Sequence, residues 1–313
     1  MRRPRSDRAR QRGFTLIEMI VSITLVSLLA MVAAPLLRLP LTAWLDASRR
    51  AQLTDAIDTV NAKLADDLRR ALPNSVRVVP VGIGGRVLLE MLEVRASGRH
   101  RNGAPVASQV CPVTACPSAD RDSLQTTVCN ETCFTSLGPL EGDPLDTAVP
   151  GDWVVVNPFG PNGPYFGGNV AVANGIKSRL TRNDPAGLDR QLSIAAHNFP
   201  GVANDHRFYV VSTPVTWDCD PATQRLTRRW GYPISAVQPT VFNGANAALL
   251  ATTVAPAAGL PSSCAIRYTP AGSAGRGGVV QVVVRMSVAV AGAGAGVFET
   301  ADLVASYPVS EGP

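Results

Sequence analysis

The chain has 313 residues, a formal net charge of +5 and 46% hydrophobic residues, which is enough for one large domain or two small ones. The charge is concentrated in residues 1–13, which contain six arginines and one aspartate, while basic and acidic residues balance in the remainder. A neutral body gives no compositional support for a nucleic-acid surface, so we expect no nucleic-acid partner.

An apolar run follows the basic segment and is long enough to cross a bilayer. It extends from Phe14 to Leu37, and as a helix it would cover about 36 Å, against a hydrocarbon core of about 30 Å. Secretory signals have shorter apolar regions followed by a small-residue cleavage site, and neither feature fits this run. The arginines before it predict that residues 1–13 stay in the cytoplasm and that the body is exported.

One carboxylate, that of Glu18, lies inside this apolar run. A charge within hydrocarbon costs about 2.5 kcal/mol or more, so an acid in such a run indicates a function. The alternative is that Glu18 lies close enough to the membrane surface to be solvated there. Its position relative to Gly13 and Phe14 favours the functional interpretation.

The stretch "RQRGFTLIEMIVSITLVSLLA" resembles the N-terminal signature of type IV prepilins and pseudopilins, and the resemblance covers residues 10–37. It implies that prepilin peptidase cuts between Gly13 and Phe14, so that residues 1–13 are a cytoplasmic leader peptide, and that Phe14 is then N-methylated. Glu18 becomes the fifth residue of the mature chain, where the resemblance implies a role in subunit assembly. It also implies a kink or break of the helix near Pro35, where the proline ring removes one helix hydrogen bond.

These implied features have physical reasons. Gly13 has no side chain and can enter a narrow protease site in an extended form. The cut creates a cationic amine on Phe14, and in a filament the amine of one subunit can pair with Glu18 of its neighbour. Because a buried charge without its partner is costly, such a pair favours one docking register.

The resemblance also predicts the surroundings of the chain. The expected partners are other major and minor pilin subunits, prepilin peptidase and an inner-membrane assembly platform. The chain would cross the bacterial inner membrane once, through a transmembrane or filament-core helix at 14–37, with its C-terminal domain in the periplasm. It would later become part of a pilus or pseudopilus.

The remaining elements change from helical to β patterns along the chain. Residues 38–72 have apolar positions at steps of three and four, which predicts an amphipathic helix from about Thr42 to Leu72. From 73 to 313, short β-rich runs are bounded by turn residues, with a hairpin at "GIGG" and the clearest alternation in "VVQVVVRMSVAV". The sequence therefore predicts an α+β fold, in which a long N-terminal membrane-spanning or filament helix precedes an antiparallel β-rich, pilin-like domain.

Six cysteines lie beyond the apolar run, four of them in a stretch, 97–151, that we interpret as a Cys-rich loop. An even number of cysteines in an exported body predicts disulfides, and the four loop cysteines allow three connectivities. The alternative is a zinc site with four thiolates, because C-x4-C and C-x3-C are close to ligand spacings. The disulfide candidates are Cys111, Cys116, Cys129 and Cys133 in the loop, and Cys219 with Cys264 beyond it.

Motifs for catalysis do not occur in the chain. It has no zinc-protease, Walker A or nucleophile-elbow motif, and its three histidines are scattered along the sequence. We therefore expect no enzymatic activity, no cofactor and no metal.

The length favours a minor pilin or a large pseudopilin over a major pilin. The segments "LADDLRRALPNSVRV" and "HRFYVVSTPVTWDCDPATQRLTRRWGYPI" resemble the O-type minor pilins of the mannose-sensitive haemagglutinin pilus. The alternatives that stay open are a J-type pseudopilin of type II secretion, a W-type minor pilin of type IVa pili, and an adhesin or DNA-uptake pilin.

Overall fold

Two compact units make up the chain, Met1–Gln52 and Leu53–Pro313, and we call the second unit the β domain. The computed structural model describes residues 14–101, 124, 130–141, 148–159, 162–173, 175–184, 191–201, 206–256, 263–270, 278–290 and 296–309. Within these ranges, the side chains at 34, 35, 37–39 and 184 are not described.

One long helix, α1 (Leu16–Arg69), contributes residues to both units. The sequence predicts an apolar segment and a separate amphipathic helix, whereas the structure has a single helix of 54 residues whose backbone continues through positions 35 and 40. The helix ends three residues before the predicted Leu72, because the chain beyond it joins a sheet. The N–H group of Leu72 donates a hydrogen bond to the carbonyl of Leu92 at 2.8 Å.

Twelve strands follow α1 in the described residues. They are β1 (Arg77–Val81), β2 (Arg86–Arg99), β3 (Glu131–Thr135), β4 (Trp153–Val156), β5 (Lys177–Asp184), β6 (Gln191–His197), β7 (Arg207–Asp220), β8 (Arg225–Trp230), β9 (Asn246–Ala251), β10 (Cys264–Thr269), β11 (Gly278–Ala289) and β12 (Phe298–Val309). Every pairing among these strands is antiparallel, which confirms the predicted α+β fold class. The sequence does not predict β3, β5, β6 or β9, and β3 lies inside the stretch interpreted as a loop.

The strands form two sheets. The larger sheet has nine strands, with a main path in the order β1-β2-β7-β4-β5-β6-β3, and with β8 and β9 added beside β7. Strand β7 pairs with β2 along one edge, and with β4 and β8 at the two ends of its other edge. The smaller sheet has the order β10-β11-β12.

The largest core of the β domain joins the helix to both sheets. Alternate residues of β11 point into this core, as the alternation in the sequence predicts: Val282, Val284 and Met286 are buried, whereas Gln281 is exposed. The helix contributes residues spaced by four and seven, the large sheet contributes residues of β2 and β7, and the small sheet contributes residues of β11 and β12. The main members are Leu53, Val60, Leu64, Leu68, Leu89, Met91, Val215, Trp217, Val280, Val282, Val284, Met286 and Leu303.

A disulfide between Cys219 and Cys264 links the two sheets covalently. Cys219 lies in β7 of the large sheet and Cys264 begins β10 of the small sheet, and their Cα atoms are 6.1 Å apart. Both cysteines are buried in the main core. The bridge therefore fixes the two sheets together at a point that the helix also contacts through this core.

Candidate functional site

The helix α1 begins with two residues that cap each other. The hydroxyl of Thr15 accepts a hydrogen bond from the N–H of Glu18 at 3.3 Å, and one carboxylate oxygen of Glu18 accepts from the N–H of Thr15 at 3.4 Å. The same oxygen, Oε2, also accepts a hydrogen bond from the Thr15 hydroxyl at 3.2 Å. This arrangement is a capping box, which satisfies N–H groups that have no partner within the helix.

The capping box gives Glu18 a defined orientation at the start of the apolar helix. A carboxylate in the first turn also interacts favourably with the positive end of the helix dipole. Among the described residues, no group donates a hydrogen bond to the second oxygen, Oε1, of Glu18. The carboxylate is therefore oriented by its own chain and still has an oxygen that can accept a cation.

Every side chain from Phe14 to Ala33 is exposed within this chain, and that of Phe14 is 74% exposed. The segment Leu16–Ala33 has a mean hydropathy of 2.4 and is long and apolar enough to cross a membrane by length and composition. Its hydroxyl groups bond locally: Ser22 donates to the carbonyl of Glu18 at 2.7 Å, and Ser27 to that of Ile23 at 2.8 Å. Such bonds lower the cost of placing a hydroxyl in an apolar environment.

The structure describes only some of the residues that the sequence marks as functional. Gly13 lies outside the described residues. Phe14 and Glu18 lie one helical turn apart at the start of α1, and the helix backbone continues through Pro35, so a kink there stays a prediction. Thr15 is a further residue of this site that was not predicted, although the pattern T-x-x-E before an apolar run is the signature of a capping box.

The structure likewise describes only some of the candidate disulfide cysteines. Cys219 and Cys264 form the bridge between the sheets, and Cys133 on β3 is also disulfide-bonded. A sulfur in a disulfide is not a thiolate, so Cys133 is not a ligand of the kind that the alternative zinc site requires. Cys111, Cys116 and Cys129 lie outside the described residues.

The N-terminal segment is also where the chain is similar to known proteins. Residues 8–34 match the profile of the prokaryotic N-terminal methylation motif. The chain carries this motif. It supports a type IV pilin-like or pseudopilin-like protein, and with the apolar helix it is consistent with membrane anchoring. The motif match ends at residue 34 and so gives no support to an O-type identity. No curated protein and no solved structure matches the chain.

Asp67 is a buried carboxylate of the β domain that holds the end of α1 against the large sheet. The indole N–H of Trp217 donates to Asp67 Oδ2 at 2.9 Å, and Arg228 donates to both oxygens at 2.6 and 3.2 Å. Lys63 adds an ion pair at 3.1 Å. These contacts use both carboxylate oxygens, which gives Asp67 a structural role.

Glu90 is a second buried carboxylate, and Arg77 fixes it to two loops. The guanidinium of Arg77 donates to Glu90 Oε1 at 2.6 and 3.1 Å, and to the carbonyls of Ser235 and Ala236 at 2.8 Å each. It also lies 3.6 Å from the ring centroid of Tyr165. Burial raises the pKa of the Glu90 carboxyl, and the nearby charge of Arg77 opposes this change.

Two of the three histidines lie together, although 106 residues separate them in the sequence. The ring centroids of His100 and His206 are 5.2 Å apart in an edge-to-face arrangement. Within the described residues, no group of three or more His, Cys, Asp or Glu side chains could hold a metal ion. The backbone N–H of His100 donates a hydrogen bond to the carbonyl of His206 at 2.9 Å, so backbone pairing brings the two rings together.

Proposed function

We propose that this protein is a minor pilin, or pseudopilin-like subunit, that enters a type IV filament through the first part of α1. The observation that carries the proposal is the methylation motif on an apolar helix whose side chains are exposed from its first residue. A segment of this kind requires lipid or protein around it, and a filament core supplies the second environment when the subunit leaves the membrane.

The geometry of Glu18 supports a specific step in assembly. Prepilin peptidase would cut between Gly13 and Phe14, and the new amine on Phe14 would then be N-methylated. The capping box holds Glu18 Oε2 against its own Thr15 and leaves Oε1 for a cation. We propose that the amine of a neighbouring subunit supplies this cation, which fixes the axial position of the incoming helix.

The system that we propose is a pilus of the mannose-sensitive haemagglutinin type, with this chain as an O-type minor pilin. The support is the resemblance of the segments that contain the end of α1 and strands β7 and β8. The subunit would lie first in the inner membrane, with the β domain in the periplasm, and would contact other pilins, prepilin peptidase and the assembly platform. The fold supports a structural role, because three of the described buried carboxylates, Asp67, Glu90 and Asp218, are each paired with an arginine.

The experiment compares Glu18→Ala with Ser22→Ala, a matched polar position one turn further along the same exposed helix. Full-length variants would be expressed in the native host, and pili sheared from the cells would be analysed by quantitative mass spectrometry. We expect both variants to be cleaved and methylated, and only Glu18→Ala to be depleted from the pili. Equal incorporation of both variants would contradict the pairing role of Glu18.

A second variant tests the cleavage site independently. Gly13→Leu places a bulky side chain where the peptidase requires close approach, so we expect the uncut chain to stay in the membrane. Mass spectrometry of the N-terminal peptide gives the position of the cut. A normal cut in this variant would show that the cleavage site is assigned wrongly.

The choice of pilus system needs a different measurement. Deleting the gene should reduce surface pili of the haemagglutinin type and leave type II secretion intact if the proposed system is right. A loss of secretion with normal pili would instead favour a J-type pseudopilin.

A further inference from the structure

A polar groove lies on the outer face of the large sheet, beside its edge strand β9. Arg225 and Arg229 on β8 line the groove together with Asp218 on β7 and Leu249 on β9. These side chains share one face because each strand alternates and the strands are in register: Thr227 of β8 pairs with Asp218 on one side and with Leu249 on the other. The groove therefore combines charged side chains with a strand that, among the described strands, lies at the edge of the sheet.

The charges of the groove are not balanced. Asp218 is engaged by two arginines, since Arg86 donates to both of its oxygens at 2.8 and 2.9 Å and Arg229 donates to one at 2.9 Å. Asp220 accepts hydrogen bonds from its own turn, from the N–H of Ala222 at 3.0 Å and the hydroxyl of Thr223 at 2.9 Å. Both carboxylates therefore already accept hydrogen bonds from other groups of this chain.

Arg225 is the arginine of the groove that takes part in none of these contacts. It is exposed at the start of β8, and the structure gives it no hydrogen bond or ion pair among the described residues. Three arginines against two aspartates leave the groove with an excess of one positive charge. The groove is therefore suited to an anionic group, above all a carboxylate that a guanidinium can bind with two hydrogen bonds.

Strand β9 differs from the other edge strands that the structure describes. Edge strands commonly carry a proline or a charged side chain, which prevents pairing with another chain. Strands β1 and β12 contain Pro80 and Pro308, and β3 and β10 contain Glu131 and Arg267. Strand β9 has the sequence NAALLA, with neither proline nor charge, and among the described strands it pairs only with β8.

We propose that β9 and the arginine groove form a docking site for an extended segment of a partner protein that carries an acidic side chain. The segment adds a strand to the free edge of β9, so that main-chain hydrogen bonds hold it and alternate side chains face the groove. The added strand lies about 9–10 Å from β8, a distance that an arginine and a glutamate span together. Arg225 lies one residue before the pair of Leu226 with Ala251, so the acidic side chain belongs opposite this end of β9. Leu249, which is 52% exposed, supplies an apolar contact for a neighbouring side chain.

A protein partner fits the site better than a free anion. A free anion would use Arg225 and leave the backbone groups of β9 and the side chain of Leu249 exposed, whereas an extended segment contacts all three. The inference rests on β9 and the groove alone and does not depend on the proposed function.

The test uses two synthetic nonapeptides with the same alternating β-forming sequence, one with two glutamates on one face and one with two lysines. Full-length protein in detergent micelles is titrated with each labelled peptide, and binding is followed by fluorescence anisotropy. Hydrogen–deuterium exchange then measures the amides of residues 246–251 with and without saturating peptide. We expect the acidic peptide to bind and to slow the exchange of these amides, and the basic peptide to bind at least about tenfold more weakly.

Charge reversal of one arginine separates this site from general attraction of an acidic peptide to a protein. Arg225→Glu should weaken binding of the acidic peptide by about tenfold or more, whereas Arg267→Glu, an exposed arginine on β10 in the other sheet, should leave it unchanged. Arg225 is exposed and makes no hydrogen bond or ion pair among the described residues. Because Asp220 lies opposite it on β7, the thermal midpoint checks that the charge reversal leaves the protein folded. Three results would overturn the proposal: equal binding of both peptides, equal effects of both variants, or binding of the acidic peptide without slower exchange in 246–251.

Discussion

The first part of α1 and the β domain differ in where their apolar side chains lie. From Phe14 to Ala33 every side chain is exposed, whereas the described part of the β domain contains three clusters of buried apolar residues. Exposed apolar surface costs about 25 cal/mol per Å² in water, so the helix segment requires a lipid or protein environment. The β domain obtains its stability from contacts within the chain, and the helix segment has to obtain its environment from other molecules.

Because of this difference, we expect mutations in the two regions to change different measured properties. Changes in the β domain should alter the free energy of unfolding, whereas changes at the start of α1 should alter the helix end and assembly. A change at the start of α1 that altered the free energy of unfolding of the β domain would show that the two regions are less different than their burial indicates.

The largest effect is expected from Asp67→Ala. This change removes the hydrogen bonds of the largely buried Arg228 to Asp67, leaves Arg228 with a longer ion pair to Glu93 at 3.5 Å, and leaves the indole N–H of Trp217 without its acceptor. We expect a loss of about 3–5 kcal/mol in the free energy of unfolding of the β domain. Denaturant unfolding followed by tryptophan fluorescence measures the change. Asp58→Ala, at an exposed position of the same helix, is the matched control and should change the free energy by less than about 0.5 kcal/mol.

The disulfide between the sheets should have the next largest effect. Replacing both Cys219 and Cys264 by alanine removes a cross-link that closes a loop with a sequence separation of 45 residues, and such cross-links typically contribute about 2–4 kcal/mol. Thermal unfolding of the full-length double variant in detergent measures the loss. An unchanged thermal midpoint would mean that the core alone holds the two sheets together.

A smaller, pH-dependent effect is expected from Glu90. Burial raises its folded-state pKa above the ordinary value of 4.5, so the folded state binds more protons than the unfolded state between 4.5 and the raised pKa. Ionisation of Glu90 therefore lowers stability as the pH increases through this interval. The variant Glu90→Gln should lack this decrease, so wild type should lose stability relative to the variant as the pH rises from 4.5. Parallel stability curves for the two proteins would contradict the raised pKa.

The smallest effect is expected at the start of α1. Thr15→Ala removes the hydroxyl of the capping box, which should cost about 0.5–2 kcal/mol locally and speed amide exchange in the first turn of the helix. Thr24→Ala removes a hydroxyl that bonds only to the carbonyl of Val21, and alanine has the higher helix propensity. Exchange at the helix start should therefore be unchanged in this control, and the unfolding of the β domain should be unchanged in both variants.

The sequence predicts the main elements where one pattern dominates. The alternation around Val282 and Val284 predicts β11, and the paired turn glycines predict the β1–β2 hairpin, because both signals are local. The motif residues from Gly13 to Glu18 are recognisable for the same reason, since they are consecutive in the chain.

The unpredicted parts depend on contacts that are distant in the sequence. Strand β9 has the sequence NAALLA, whose alanines and leucines favour a helix, and it forms a strand because β8 pairs with it. The backbone also stays helical through positions 35 and 40, and the kink at Pro35 stays a prediction, since a proline can bend a helix without ending it. Two partners of Asp67, Trp217 and Arg228, are 150 and 161 residues away, and no local pattern reveals them.

The link between Cys219 and Cys264 also limits how far the chain can be extended by force. The residues between them would add about 150 Å to the contour length of an unfolded chain, at about 3.4 Å per residue. While the bond is intact, a molecule pulled from its two ends cannot release this length. Single-molecule stretching should therefore show a final extension that is greater by this amount in the double variant Cys219→Ala, Cys264→Ala than in the wild type, which makes the bond a mechanical stop for a protein under tension.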